Sequence, residues 1–412
     1  MRYLSCCFSC AYTKYAHEKG KSAVSESTFR KVAPNHFKTA RKQTDKCPIC
    51  VHAGHLKRAV ENRFLSAEAK KIAEGKYSLL LSHKKRNENQ RKMYKDQKEN
   101  LKDGECVVVM DFKENVQMGG SSLEIDRDFY GKQPASVFGL VMFFKKDGKV
   151  KKVHHDFVSD VLNHDSKFVN ECMSKFVNSS DFVNNKFQRL MFWMDNGPAH
   201  FRTYEMVATF VSLERSLRNV KVEFNFFCEY HGKNECDSHF SSLTGYLKRH
   251  ETCHEERVSS VDDLIKVYED QNRRANDNKH ERNRKRKAGT ELEEICEARF
   301  HKHSRVGQHQ EKLQVPLPSF TDYHHFTIEK DQIIARPLTG HEKSRKYKIQ
   351  FKTVEVGTEL RKSYTKRKAN TFDKHCETLM KKARVDDPQN VSFRKPAEKD
   401  PVDELISGLI LF

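Results

Sequence analysis

Nowhere does the sequence approach the ~18 consecutive apolar residues that a bilayer-crossing helix needs, and the closing LISGLILF is too short to span. No membrane partner is therefore expected. The opening MRYLSCCFSCAY is too short and too polar for a secretory h-region, so no leader is expected either. The 12 cysteines are unevenly spaced, unlike the framework of a small secreted domain, which favours a reducing compartment. Apolar residues are scarce at 37%, so one compact core with long polar helices or tails is expected. Acidic residues are outnumbered, 57 against 76 Lys and Arg, for a net charge of +19. That excess favours a polyanionic partner, nucleic acid before membrane, bound through phosphate neutralisation. No helix-turn-helix or compact zinc finger precedes Cys47.

The most informative stretch is Arg189 to Phe201, RLMFWMDNGPAHF. Leu190 to Met194 is a short aromatic-rich run that ends at Asp195 and is broken by Asn-Gly-Pro, as a buried strand stopping at a turn would be. Open α/β sheets place ligands at such strand ends. Cys106 to Met110, ending at Asp111, repeats the pattern. Residues 104–255 read as a core of element order β-β-β-α-β-α-β-α, with a turn at Lys146-Asp147-Gly148. Before it, residues 56–103 read as one long charged helix, or a helical hairpin broken near Gly75, projecting from the core with a solvated face. After it, residues 256–342 read as a capped helix, a charged linker and a small β-hairpin near TDYHHFTIEKDQIIARPL. Residues 343–412 read as a basic, largely disordered tail.

Residues 1–55 carry two pairs, Cys7 with Cys10 and Cys47 with Cys50. A two-residue gap lets one turn present both thiolates to a tetrahedral zinc. Cys47 and Cys50 are the stronger pair, with Cys7 and Cys10, or His52 and His55, as candidates to complete the set.

Three acidic sites line up with strand ends: Asp111, Asp195 and Asp237, the last opening a helix after the fifth strand. Magnesium takes hard oxygen ligands and only a few carboxylates, leaving places for water and phosphate. Two such ions stabilise both oxygens of an in-line phosphodiester displacement. This order, with Asp111-Phe112-Lys113-Glu114-Asn115, Asp195-Asn196-Gly197 and His231-Gly232-Lys233-Asn234-Glu235-Cys236-Asp237, resembles eukaryotic cut-and-paste DDE/D transposases and host genes derived from them. The resemblance spans residues 45–340. It implies an RNase H-like mixed five-stranded sheet flanked by helices. It also implies Mg²⁺ or Mn²⁺ on Asp111, Asp195 and Asp237, with Glu235 as a rival third carboxylate. Lys233 would contact the scissile phosphate and His231 would carry a proton. Glu114 and Asn115 would be ligands or support them through hydrogen bonds. The family's glycine-rich continuation is here Ser238-His239-Phe240.

The function implied is DNA strand cleavage and strand transfer by a homo-oligomer. The alternative is a catalytically silent, transposon-derived nuclear DNA-binding or chromatin-associated protein, and a third reading is a nuclease for RNA or hybrids. The basic clusters Arg282, Arg284, Lys285, Arg286, Lys287 and Lys366-Arg367-Lys368 read as nuclear-import or phosphate-binding sequence.

Overall fold

A computed structural model of the chain describes residues 2–4, 8–33, 37–39, 46–62, 65–124, 126, 130–198, 200–217, 219–253, 256–286, 292–304 and 311–355. Two compact units emerge, Met1–Lys46 and Cys47–Phe412. In the first, strand β1 (Arg2–Leu4) pairs in parallel with β2 (Phe37–Thr39). Helices α1 (Phe8–Lys19) and α2 (Glu26–Val32) lie between them in sequence, neither with a buried residue, and the Ser25 hydroxyl caps α2.

The second unit opens with α3 (Pro48–Glu61) and α4 (Ala67–Glu99). Ile49, Leu56 and Ala59 of α3 pack on Ala73 and Leu80 of α4. The break lies before Ser66, whose hydroxyl accepts from the Ala69 N–H and starts α4. Gly75, the expected break, sits inside an unbroken helix: one glycine costs about 1 kcal/mol against alanine, too little to end a helix of strong formers. Nor does α4 simply project into solvent. Gln90, Tyr94 and, just beyond the helix, Leu101 are buried, and with half-buried Gln97 they form a stripe at three- to four-residue spacing. The Trp193 indole N–H donates to Gln97 at 2.7 Å. Two members of that stripe are glutamines that hydrogen-bond the core, so hydrophobic periodicity does not reveal it.

The central sheet is built from β3 (Glu105–Met118), β4 (Gln133–Lys146), β5 (Lys149–Ser159), β6 (Arg189–Met194) and β7 (Lys221–Phe226). They stand side by side as β5-β4-β3-β6-β7, with β4 antiparallel to both neighbours and β3, β6 and β7 parallel. The β4–β5 turn has Asp147 and Gly148 both at positive φ, 53° and 73°, as a two-residue hairpin loop requires. The sheet has nine strands where five were expected. The hairpin β10 (His325–Glu329) and β11 (Gln332–Arg336) joins the β7 edge and is followed by β12 (Arg345–Lys348). On the other edge β8 (Glu297–His303) pairs in parallel with β5. A separate pair joins β9 (Glu311–Gln314) to β13 (Lys352–Glu355). Edges need covering, and the expected satellite hairpin covers one of them.

Both faces are clothed, which is why the strands read as continuous apolar runs. Alternate residues Val108 and Met110 face α5 (Ser166–Val177) and α7 (Tyr204–Ser216), with the one-turn α6 (Ser180–Val183) alongside. Val107, Val109 and Trp193 face Tyr94 of α4, together with α8 (Glu235–Cys253) and α9 (Val261–Lys285). Gly139 on β4 leaves room for Phe240 of α8, whose ring a Cβ would meet at 2.8 Å.

The charged segment expected as a linker is instead the second half of α9. Asn276 exchanges two hydrogen bonds with the Cys296 backbone, and Asn283 does the same with Glu293. A polar helix face thus grips the chain's own backbone, satisfying amides that would otherwise lack partners.

Candidate functional site

Asp111 is a half-buried residue of β3 beside β6, and Asp195 directly follows β6. Parallel pairing of Met110 with Met194 sets the two acids side by side at the same sheet end. The third block approaches from above. A Cβ at Gly232 would stand 2.9 Å from the Cβ of Asp195, so only glycine permits this approach. Asn234 donates through its amide to Asp111 Oδ2 at 3.1 Å. Its own Oδ1 accepts from the Cys236 N–H at 2.7 Å, and its N–H donates to Asp237 Oδ2 at 2.8 Å. The two bonds cap the first turn of α8, with the Asn234 side chain on the Cys236 N–H and the Asp237 side chain reaching back to the Asn234 N–H, and they place Asp237 next to the Asp111 partner.

The carboxyl of Asp111 is pushed well above its usual range, first by burial and then by the negative charges of Asp195 and Asp237. The Phe112 N–H and Asn234 offset part of this. Asp195 and Asp237 are thus close enough to be felt electrostatically, and the nearby charges that move Asp111 most are both carboxylates. Asp195 also accepts from the Gly197 N–H at 3.0 Å, with His200 at 3.6 Å. Asp237 is exposed, which leaves the cluster open to solvent. The three carboxylates gather at one end of the sheet with one side solvated, but their oxygens do not all come within 4.8 Å of one another, so they are not drawn together as a closed ligand set.

Glu235 has other work. Lys98 and the Tyr94 hydroxyl both donate to it, and although burial opposes, these bonds hold its carboxyl below the usual value. Lys233 is exposed on the same loop. On β3 the pairing with β4 shifts register between Lys113 and Val116. Glu114 is exposed there, and Asn115 accepts from the Ser136 hydroxyl at 3.3 Å.

His231 belongs to a different group. Its Nε2 lies 3.4 Å from Cys50 Sγ and 3.2 Å from His83 Nε2, which is 3.4 Å from Cys47 Sγ. The four ligand atoms lie within 4.8 Å of one another. Cys47 is the N-cap of α3 and Pro48 starts it, so both cysteines stand at the positive end of a helix. Burial, followed by the Arg91 charge, lowers the His231 imidazole. The completing residues are thus His83 and His231, in place of His52 or His55. Cys10 lies exposed on α1 in the other unit, and Cys7 lies outside the described residues.

The basic cluster is partly offset by two carboxylates. Arg282 and Arg286 both pair with Glu293, and Lys285 pairs with Glu281. Arg284 lies in the last turn of α9, while Lys287 and Lys366-Arg367-Lys368 lie outside the described residues.

Residues 90–336, more than half the chain, match a family model described as a domain of unknown function (DUF8701). The chain belongs to this family. The DUF8701 match begins within α4, ends at the last residue of β11 and contains all three aspartates. It leaves Cys47, Cys50 and His83 outside and includes His231. No curated protein matches the chain.

Proposed function

We propose that the protein cleaves DNA strands and transfers their 3′ ends, as a metal-dependent transposase-type phosphoryl transferase. The observation that carries this reading is the gathering of Asp111, Asp195 and Asp237 at one sheet end, where burial first and the two neighbouring negative charges second push the Asp111 carboxyl upward. The order β5-β4-β3-β6-β7 with β4 alone reversed supports an RNase H-like core extended at both edges. The net charge of +19 supports a polyanionic substrate.

The three aspartates would hold Mg²⁺ or Mn²⁺, which when bound supplies Lewis-acid activation of the attacking oxygen and charge stabilisation on the leaving one. Asn234 fixes the Asp111 carboxylate and, through the cap, Asp237. Gly232 lets the third block close on Asp195. Glu235 anchors the start of α8 to α4 through Lys98 and Tyr94, which favours Asp237 as the third carboxylate. Lys233, exposed on that loop, is the group to meet a phosphate. Proton transfer does not fall to His231, whose Nε2 faces Cys50 and His83; His200 beside Asp195 is the better-placed imidazole.

The test is nicking of labelled DNA, with RNA and hybrid duplexes in parallel, in Mg²⁺ or Mn²⁺. Cleavage of DNA that Asp195→Asn and Asp237→Asn each abolish is the expected result. Binding without cleavage in either metal would leave the silent DNA-binding protein, and preference for RNA or hybrids would make it a ribonuclease.

A further inference from the structure

We propose that Cys47, Cys50, His83 and His231 hold one structural Zn²⁺, which fastens the α3–α4 pair to the loop carrying the third acidic block. Tetrahedral zinc with bonds of about 2.3 Å to sulfur and about 2.0–2.1 Å to nitrogen separates its ligands by about 3.5 Å for S···N and about 3.3 Å for N···N. Three of the six separations are 3.4 Å for Cys47 to His83, 3.4 Å for Cys50 to His231 and 3.2 Å between the two imidazole nitrogens, and the other three lie within 4.8 Å. Four donors of the right chemistry thus stand together, with three of their separations at the spacing a single ion imposes. Cys47 and His83 are buried, at 4% and 2% exposure, while Cys50 and His231 are half-buried. Four protein ligands leave no position for substrate, which makes the site structural rather than catalytic. Thiolate sulfur with imidazole nitrogen selects zinc over magnesium.

The ligands come from three separate places in the sequence: the start of α3, the middle of α4 and the loop before α8. The backbone around the last is already guided. The His231 N–H donates to the Cys228 carbonyl at 3.0 Å, and Arg91 of α4 donates to the His231 carbonyl. Fixing His231 fixes the segment that runs through Gly232, against Asp195, to Asn234, against Asp111. The ion would therefore be a positioning device for the carboxylate cluster from outside it. A second group, His154, His239 and Cys296, offers only three ligands, and His239 Nε2 is already bound to Asp156 at 2.7 Å.

The inference stands apart from the phosphodiester reading, because its readout is metal content, measured without DNA. Full-length protein purified without chelator should carry one equivalent of zinc per chain, released when a mercurial caps the thiols. Exchange for Co²⁺ should give the intense visible bands of tetrahedral ligation and the near-ultraviolet thiolate charge-transfer band. Cys50→Ser and His231→Ala should each lose the zinc, whereas Cys10→Ser should retain it. Because the first two variants also remove packed side chains, the cobalt spectrum of the unaltered protein decides independently. Zinc-free protein that gives no tetrahedral cobalt spectrum would overturn the site, as would full zinc retention in His231→Ala.

Discussion

Replacing Asp195 by Asn should stabilise the protein in magnesium- and manganese-free buffer. The asparagine Oδ1 keeps the bond from the Gly197 N–H at 3.0 Å, so the substitution removes charge with little change of shape. What it relieves is repulsion on Asp111, which burial and the neighbouring carboxylates already hold above its usual range. Two carboxylates about 5 Å apart repel by about 1 kcal/mol in a water-like medium and about 3 kcal/mol at an effective dielectric of about 20. At about 2–4 °C per kcal/mol for a mid-sized domain, the Tm should rise by roughly 2–12 °C. The sign with pH follows. A carboxyl raised in the folded state costs stability as pH climbs from its unfolded value near ~4 through its folded value. The advantage of Asp195→Asn should therefore grow with pH across that window and vanish below it. Magnesium should reverse the order, stabilising the parent protein and not the variant. Scanning fluorimetry from pH 4 to 8, with and without Mg²⁺, measures all of this. A variant less stable than its parent without divalent ion, or one that gains equally from Mg²⁺, would refute shared charge and shared metal binding alike.

Glu235→Gln should cost about 1–3 kcal/mol by weakening the Lys98 and Tyr94 bonds, yet reduce cleavage less than Asp237→Asn; urea melts beside nicking rates separate the two. Gly139→Ala should destabilise by about 1–3 kcal/mol, because its Cβ meets the Phe240 ring at 2.8 Å, and Phe240→Leu in the same chain should recover part of the loss. Burial pulls His239 down, but the charge and hydrogen bond of Asp156 outweigh it and hold the imidazole at about 10. Stability from that pair should be full below about 6.5 and fade as pH rises towards the folded value. Asp156→Asn should flatten that slope in denaturant titrations. Trp193, the single tryptophan, is buried against Tyr94 with its N–H on Gln97, so its emission should be blue and should shift red if α4 is released. Zinc removal leaving that emission unchanged would show that α4 stays docked without the ion.

The central strands and their end-of-strand acids were legible because strands covered on both faces become apolar runs, and Asp111 and Asp195 stop such runs abruptly. The turn at Lys146-Asp147-Gly148 was legible for a similar local reason. What escaped was whatever polar side chains do at long range. Gln90, Gln97, Asn276 and Asn283 look like solvated helix text, yet each hydrogen-bonds another part of the chain. The strand β8 is too rich in charge and histidine to read as a strand, and it forms by pairing with β5. His83 carried no signal at all within a charged helix. His231 carried a misleading one, since its place in the third block suggested chemistry that its contacts with Cys50 and His83 redirect.

The segment from His231 to Asp237 addresses a different neighbour at almost every step: His231 the cysteine–histidine group, Gly232 Asp195, Asn234 Asp111, and Glu235 the helix α4. Such a segment has a phase as well as a composition. One extra residue between Asn234 and Asp237 would turn the rest of α8 by about 100° and advance it by about 1.5 Å. Phe240 would then leave the gap at Gly139, and His239 would leave Asp156. The block therefore tolerates changes of letter far better than changes of length, and a single-codon insertion there would be felt from the carboxylates to the far side of the sheet.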